Sequence, residues 1–324
     1  MLIKIFRSGY SVKIIMFLII SLLLWVPAFI SPAEIVSEST FGIAYDFLVR
    51  QITMAPWMAA FFAFVLLIAQ AIIFNAVLVQ NPLFSKSVFL PALIYVILMS
   101  HNPAYLSLHP ALFSNFFLIL SLKNLYSTYS KTDALREAFN SSFWIAVASL
   151  FHLPAASMML FIWFAFIIFR ISAWREWLIS IIGFITPYLF LIIIFYLFDG
   201  IPFFLDFFPG GLEWIWIQPS VEMADYIFWP VFLLVCLWAY LRFTIESADR
   251  IISVRRSFAI VNVLLLLSFS SMLISAHHPH QHAFIIFPAA SVVIAYYFIE
   301  TRKRIIAELF FIGLLMAIFI TRFL

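Results

Sequence analysis

The sequence predicts an all-α fold: a polytopic membrane helical bundle of about 11 transmembrane helices, its N-terminus cytoplasmic and its C-terminus extracytoplasmic. Three observations predict it. The 324 residues are 66% hydrophobic and 10% charged, with a mean hydropathy of +1.13, whereas a soluble domain carries about 25% charged residues. Apolar runs approaching the roughly 17–25 residues that a bilayer requires recur along the chain. The third is the placement of Lys and Arg, which sort to one side once the runs are threaded through a membrane. The alternating pattern of an outer-membrane barrel is absent, so backbone groups are satisfied within helices.

The first run, 14–31, follows Lys4, Arg7 and Lys13. Its basic start and Val26-Pro27-Ala28 also resemble a secretory signal with a cleavage site. Retention of Met1 favours an uncleaved first helix. The outer segment 32–56 contains FGIAYDFLVRQI. There Phe41, Ala44, Tyr45, Leu48 and Ile52 form an apolar stripe at helical spacing, with Asp46 and Arg50 on the opposite face at i,i+4. This predicts a helix lying in the membrane interface. It reads either as a structural lid or as the carrier of an acid, Asp46, at the rim of a cavity.

Spans follow at 57–80, 88–100, 109–122, 141–154, 156–171 and 177–198. The stretches 88–100, 109–122 and 141–154 are short for a hydrocarbon layer of about 30 Å. They read as tilted spans, as spans extended into their flanks, or as half-helices packed inside the protein. Before the last of them, Thr132–Phe139 begins with an N-cap and reads as a short amphipathic helix along the inner surface. Arg170, Arg175 and Glu176 mark a tight inner turn. The outer segment 199–225 combines aromatic residues with five acids and no base. Among those acids Asp199, Asp206 and Glu213 either belong to an aromatic belt or hold a cation or orient a sugar. The last spans are 226–241, 258–275, 283–299 and 305–322. With no internal repeat or disordered tract, residues 1–324 read as a single integral membrane domain.

With the N-terminus inside, sixteen of the eighteen Lys and Arg fall on the inner side, leaving Arg50 and Arg322 outside, as the positive-inside rule requires. The same threading puts all seven histidines at the outer face, with eight of the fifteen acids. A site on this protein opens outward.

Four of those histidines crowd into Ser275-Ala-His-His-Pro-His-Gln-His-Ala-Phe284. On an extended chain His278, His280 and His282 point the same way. They fit a polar interfacial turn, contact with a lipid phosphate, or a divalent metal such as Zn²⁺. His101, His109 and His152 each stand near a proline at another outer turn. Singly they read as capped helix ends, and together as the lining of a shared polar cavity. Gln70, Asn75, Asn115 and Asn262 are polar at lipid depth and read first as interhelical hydrogen bonds.

Absences narrow the functions. There is no phosphate-binding glycine loop, HExxH pattern or serine elbow. With 7 glycines in all, a glycine-rich cofactor loop is excluded. The net charge of +3 is no sign of nucleic-acid binding. Energy-driven transport lacks the paired intramembrane acids expected of it. The single cysteine, Cys236, excludes an intrachain disulfide.

Two resemblances follow. NPLFSKSVFLPALIYVILMS, SLFHLPAASMMLFIWFAFIIFR with the following SAWREWLISIIGFITPYL, and HAFIIFPAASVVIAYYF together resemble a family of polytopic inner-membrane proteins of the Bacteroidota phylum. That resemblance implies a bacterial inner-membrane location and no chemistry. The order of parts is also similar to membrane glycosyltransferases of the GT-C type: an N-in first helix, an outer first loop with an interfacial helix and an acid, and a late outer His-rich turn before a proline-containing helix. That similarity implies a polyprenyl-phosphate sugar donor, a catalytic acid at Asp46 with Glu34 or Glu38 as substitutes, and lipid-phosphate contacts from His278, His280 or His282. The chain departs from the pattern in its small first loop and in lacking the adjacent acidic pair after the first helix.

Three functions remain open from the sequence. One is a polyprenyl-phosphate-dependent, glycosyltransferase-like enzyme of envelope biogenesis. Another is a non-catalytic subunit of an envelope-assembly or secretion complex. The third is a lipid or metal translocator. Membrane lipids are the partners common to all of them.

Overall fold

A computed structural model describes residues 10–33, 42–51, 54–81, 83–84, 89–129, 131, 133–198, 223–247, 250–274, 283–301 and 304–321. The helices are α1 (Tyr10–Ile30), α2 (Ile43–Gln51), α3 (Pro56–Gln80), α4 (Leu90–Met99), α5 (Pro110–Thr128), α6 (Leu135–Phe151), α7 (Met158–Phe169), α8 (Trp174–Leu197), α9 (Met223–Ser247), α10 (Ile252–Ile274), α11 (Phe287–Glu300) and α12 (Arg304–Ile320). Short 3-10 turns precede α5, α7 and α11. No strand occurs among the described residues. Each apolar run of the sequence carries a helix, and so does the interfacial stretch.

Five of these helices are long and apolar enough to cross a membrane: α1, α3, α8, α9 and α10. Helix α8 shows what that means physically. Leu178, Ile182, Ile185, Leu189 and Ile193 are all exposed, a surface that hydrocarbon solvates and water does not. Prolines open α3 and α5 at positions where the missing N–H has no intrahelical partner to lose.

The short predicted spans resolve differently. The stretch 88–100 becomes α4, ten residues that rise about 15 Å, and every one of them is buried. It is a half-helix packed inside protein. The stretches 109–122 and 141–154 instead extend into their flanks as α5 and α6, of 19 and 17 residues. For α6 the extension absorbs the inner amphipathic stretch. Asp133 accepts the Leu135 N–H at 3.4 Å, and Glu137 and Ala138 are already buried against the bundle. A separate surface helix therefore does not form there. The turn between α7 and α8 is closed by Arg170 in the left-handed region, φ 60°, with the Ile171 N–H donated to the Phe166 carbonyl.

At the centre α11 packs against α4, with α9 and α10 along its other sides. Residues Phe287 to Phe298 of α11 are all buried. Around this pair, α6 lies against both α5 and α8. The α6–α8 approach is set by Gly183, where a Cβ would sit 2.6 Å from the Phe139 carbonyl oxygen. The polar interior is spent between helices, as the sequence suggested for Gln70 and Asn115. Tyr95 donates to Gln70 Oε1 at 2.6 Å, and Gln70 Nε2 donates to the Leu112 carbonyl at 3.0 Å. Asn115 Nδ2 donates to the Phe284 carbonyl at 2.9 Å.

Gly183→Ala should lower the melting temperature in detergent, by the ~1–3 kcal/mol that overpacking costs. Gly313→Ala, with nothing within 4 Å of its Cβ, should raise stability by about 0.5–1 kcal/mol, because alanine loses less freedom in a helix. Equal shifts for the two would refute the close approach of α6 and α8.

Glu137 forms an ion pair with Lys131. Burial works against its charge, but the Lys131 ammonium, its own backbone N–H and nearby Arg136 outweigh that and hold the carboxyl below its usual range. A depressed folded-state value stabilises the fold above the unfolded value of about 4.3 and ceases to do so as pH falls through the depressed one. Glu137→Gln should therefore melt earlier than the parent at about pH 7, with the gap closing as pH falls below the ordinary glutamate value of about 4.3. Melting curves across that range check it, and a gap that widens with acid would contradict it.

Candidate functional site

The site grows from the way buried α4 ends. Its last carbonyls have no intrahelical partners and no water. Ser100 supplies both its N–H and its hydroxyl to the Val96 carbonyl, at 3.0 and 2.7 Å. His101 places Nδ1 2.9 Å from the Leu98 carbonyl. Asn102 then turns the chain by accepting the Ala104 N–H at 2.9 Å. Two distant helices tie onto this corner: Trp25 of α1 donates to the Ser100 hydroxyl at 2.9 Å, and Thr321 donates to the His101 carbonyl at 3.0 Å.

His109 stands immediately before α5 and His152 immediately after α6. Helix α5 packs on α6, so the two imidazoles face the same corner. His109 lies within electrostatic range of His101, and His152 within range of His109. All three are at most 2% exposed. Phe284 is wedged among them, its ring centroid 5.2 Å from His101 and 4.6 Å from His109. His101 is further stacked on Phe228 at 4.3 Å and bounded by Phe287 and Trp229.

Helix α2 covers this corner. Tyr45 donates its hydroxyl to the Leu108 carbonyl at 2.9 Å, next to His109. Gly42 abuts the end of α6 so tightly that a Cβ would lie 2.3 Å from the Phe151 carbonyl carbon, next to His152. Asp46 follows Gly42 by one turn, on the same face, and is 7% exposed. The helix is therefore rotated from the expected orientation. Ile43, Tyr45 and Asp46 are buried, and Phe47 is exposed at 64%. The reason is steric: only the glycine face can approach the α6 backbone so closely, and that contact carries Asp46 inward from the rim. The Arg50 side chain lies outside the described ones.

The structure thus brings His101, His109 and His152 together, with Asp46 in the helix above them. His278, His280 and His282, the acids Asp199, Asp206 and Glu213, and the substitutes Glu34 and Glu38 lie outside the described residues. Among the described residues no group of three or more His, Cys, Asp and Glu is placed to hold a metal ion. Phe284 lies against both His101 and His109, so the imidazoles are neighbours that do not form a ligand set.

Polar capacity remains at the corner. His109 Nδ1, Ser107 Oγ and Ser114 Oγ are buried without a hydrogen bond among the described residues. Buried polar atoms of this kind accept a polar guest or an ordered water. Sequence reasoning missed Trp25, Tyr45 and Thr321 as members of the site. No local pattern marks them, since each acts through a contact at least 60 positions away in sequence.

No family model, no curated protein and no solved structure matches the chain.

The chemistry of the corner therefore carries the functional reading. Its first requirement is that α2 stay docked. Tyr45→Phe leaves the Leu108 carbonyl buried without its donor, which should cost about 1–3 kcal/mol and expose α2 to proteolysis. Unchanged melting and cleavage would show that the hydroxyl does not hold the lid.

Proposed function

We propose that the chain is a multi-pass protein of the bacterial inner membrane, N-terminus cytoplasmic and C-terminus outside. It acts at the outer face as a polyprenyl-phosphate-dependent, glycosyltransferase-like enzyme of envelope biogenesis. The observation that carries this reading is the buried corner itself: three histidines drawn to one end of the bundle, beneath a short helix that carries a buried acid. Five membrane-length helices support a location in a membrane.

In this reading an acceptor hydroxyl attacks the sugar carbon bonded to the carrier phosphate. The new carbon–oxygen bond forms as the bond to the phosphate oxygen breaks. Asp46 takes the hydroxyl proton, the role of a positioned general base. Charge develops on the departing polyprenyl phosphate, and imidazole N–H groups at the corner offset it in a medium where such contacts are strong. Because Asp46 is 7% exposed, substrate entry requires α2 to lift from the end of α6. A nine-residue helix is short enough to move as one body.

A second reading has its own observation. His101 already caps α4 through Leu98 and is ringed by Phe228, Phe284, Phe287 and Trp229, an environment suited to structural service in a non-catalytic subunit of an envelope complex.

The experiment is sugar transfer by the purified protein in liposomes, with a polyprenyl-phosphate-linked hexose as donor. Asp46→Asn should reduce turnover by about 10²–10⁴-fold with an unchanged melting temperature. Turnover equal to that of the parent would remove Asp46 from the mechanism. No transfer by either protein, together with a stoichiometric protein partner after gentle solubilisation, would establish the subunit reading instead.

A further inference from the structure

Away from the histidine corner, α9 and α10 part to leave an apolar groove of about 430 Å³. Phe232, Cys236 and Tyr240 line one wall at four-residue spacing, and Leu265 and Phe269 line the other in the same way. Such positions share one face of a helix, so the groove runs along the helix axes. Its volume lies within the range of about 300–1,000 Å³ that small-molecule sites occupy.

We infer that this groove is a binding site for one hydrocarbon chain of a membrane lipid. The inference rests on α9 and α10 spanning the membrane, and not on the glycosyltransferase reading.

Depth decides the chemistry of the occupant. The membrane-length part of α9 is Tyr226–Glu246 and that of α10 is Val254–Ser271; the groove takes the middle of α9, six residues from either end, and on α10 runs from Leu265 to Phe269. Headgroups do not reach the centre of a bilayer, where an unpaired polar group costs several kcal/mol. An occupant there is hydrocarbon. Length decides its form. From Phe232 to Tyr240 the groove rises about 12 Å, under half of the ~30 Å that a spanning helix must cover. A second copy or a partner helix needs a seam along the whole span, whereas the end of one lipid chain needs only this much.

The outer end is closed. Ile286 borders the groove, and Phe232 packs on Phe228 and Phe287 at 5.7 Å each. Those two rings are the ones against His101. A chain seated in the groove therefore presses on the aromatic layer that holds the histidine corner.

The test uses the full-length protein in phosphatidylcholine vesicles containing a phosphatidylcholine with a diazirine at the end of one acyl chain. After photolysis, peptides are mapped for adducts. Cys236, Leu266 and Phe269 should be labelled at least about fivefold above Ile185 and Leu189. That enrichment corresponds to a chain held about 1 kcal/mol better than by open bilayer. Ile185 and Leu189 are the comparison because they are exposed at 45% and 53% on α8 and meet only bulk lipid chains. Equal labelling on α8 and in the groove would overturn the inference, and so would crosslinks between two copies at Cys236. Leu266→Trp, which fills the groove, should reduce labelling at Cys236 at least about fivefold and leave Leu189 unchanged. If that variant does not fold, Cys236→Phe tests the same filling, with Leu237 and Phe269 as the readout. Undiminished groove labelling in a folded filling variant would also overturn it. Loss of activity in Asp46→Asn has no bearing on any of these outcomes.

Discussion

Burying a ten-residue helix at the centre of a membrane bundle sets the conditions that the rest of this structure meets. Helix α4 is covered on every side, and α11 beside it is buried from Phe287 to Phe298. Neither protein interior nor hydrocarbon offers water to the last carbonyls of α4. An unpaired buried carbonyl costs more than a made hydrogen bond gains, so the residues just past the helix must be donors. Ser100 and His101 are those donors. A polar corner at this end of the bundle follows from ending a helix inside the protein, before any question of catalysis arises.

That corner then gathers other helix ends. Helix α5 begins at His109 and α6 ends at His152, and Phe284 separates the imidazoles while its own carbonyl receives Asn115. Each group settles a local need, yet the sum is a cluster of buried polar groups beneath α2. Structural and functional demands are hard to part here because the same atoms serve both. His101 is committed to a cap, whereas His109 keeps a buried Nδ1 with no hydrogen bond among the described residues. Of the two, His109 has more capacity left for a ligand.

Helices were legible in the sequence because length and apolarity are properties of a stretch, and each of the apolar runs folds as one. Pairings were legible only as a tendency. Gln70 and Asn115 were readable as interhelical bonds because a polar amide in an apolar run has few alternatives. Their partners, Tyr95 and the Phe284 carbonyl, were not. Helix α2 shows the limit most clearly. Its apolar stripe predicted a helix, but amphipathicity assigned Asp46 to the wrong face. What orients α2 is the room that Gly42 leaves for the α6 backbone, a tertiary fit that outweighs the exposure of one Phe47. The inner stretch before α6 failed for a related reason: its buried Glu137 and Ala138 continue a helix whose packing began further along.

Helix α9 connects the two ends of the molecule. At one end Glu246 accepts the Tyr296 hydroxyl at 3.1 Å, and Arg250 donates to that same hydroxyl at 3.0 Å and pairs with Glu300 at 3.4 Å. Phe243 stacks on Phe258 of α10 at 4.2 Å just above. At the other end Phe228 stacks on His101. Both ends are thus pinned, by an ionic and aromatic latch on one side and by the histidine corner on the other. The strength of such contacts rests on close approach, so α9 has least freedom where they lie. Between them stands Cys236, a small side chain. The groove between α9 and α10 lies there, lined by Phe232, Cys236, Leu265 and Phe269. A chain entering or leaving would then bear on Phe232 and, through Phe228 and Phe287, on the packing of His101. Phe232 thus borders the groove and meets, through Phe228 and Phe287, the ring of His101.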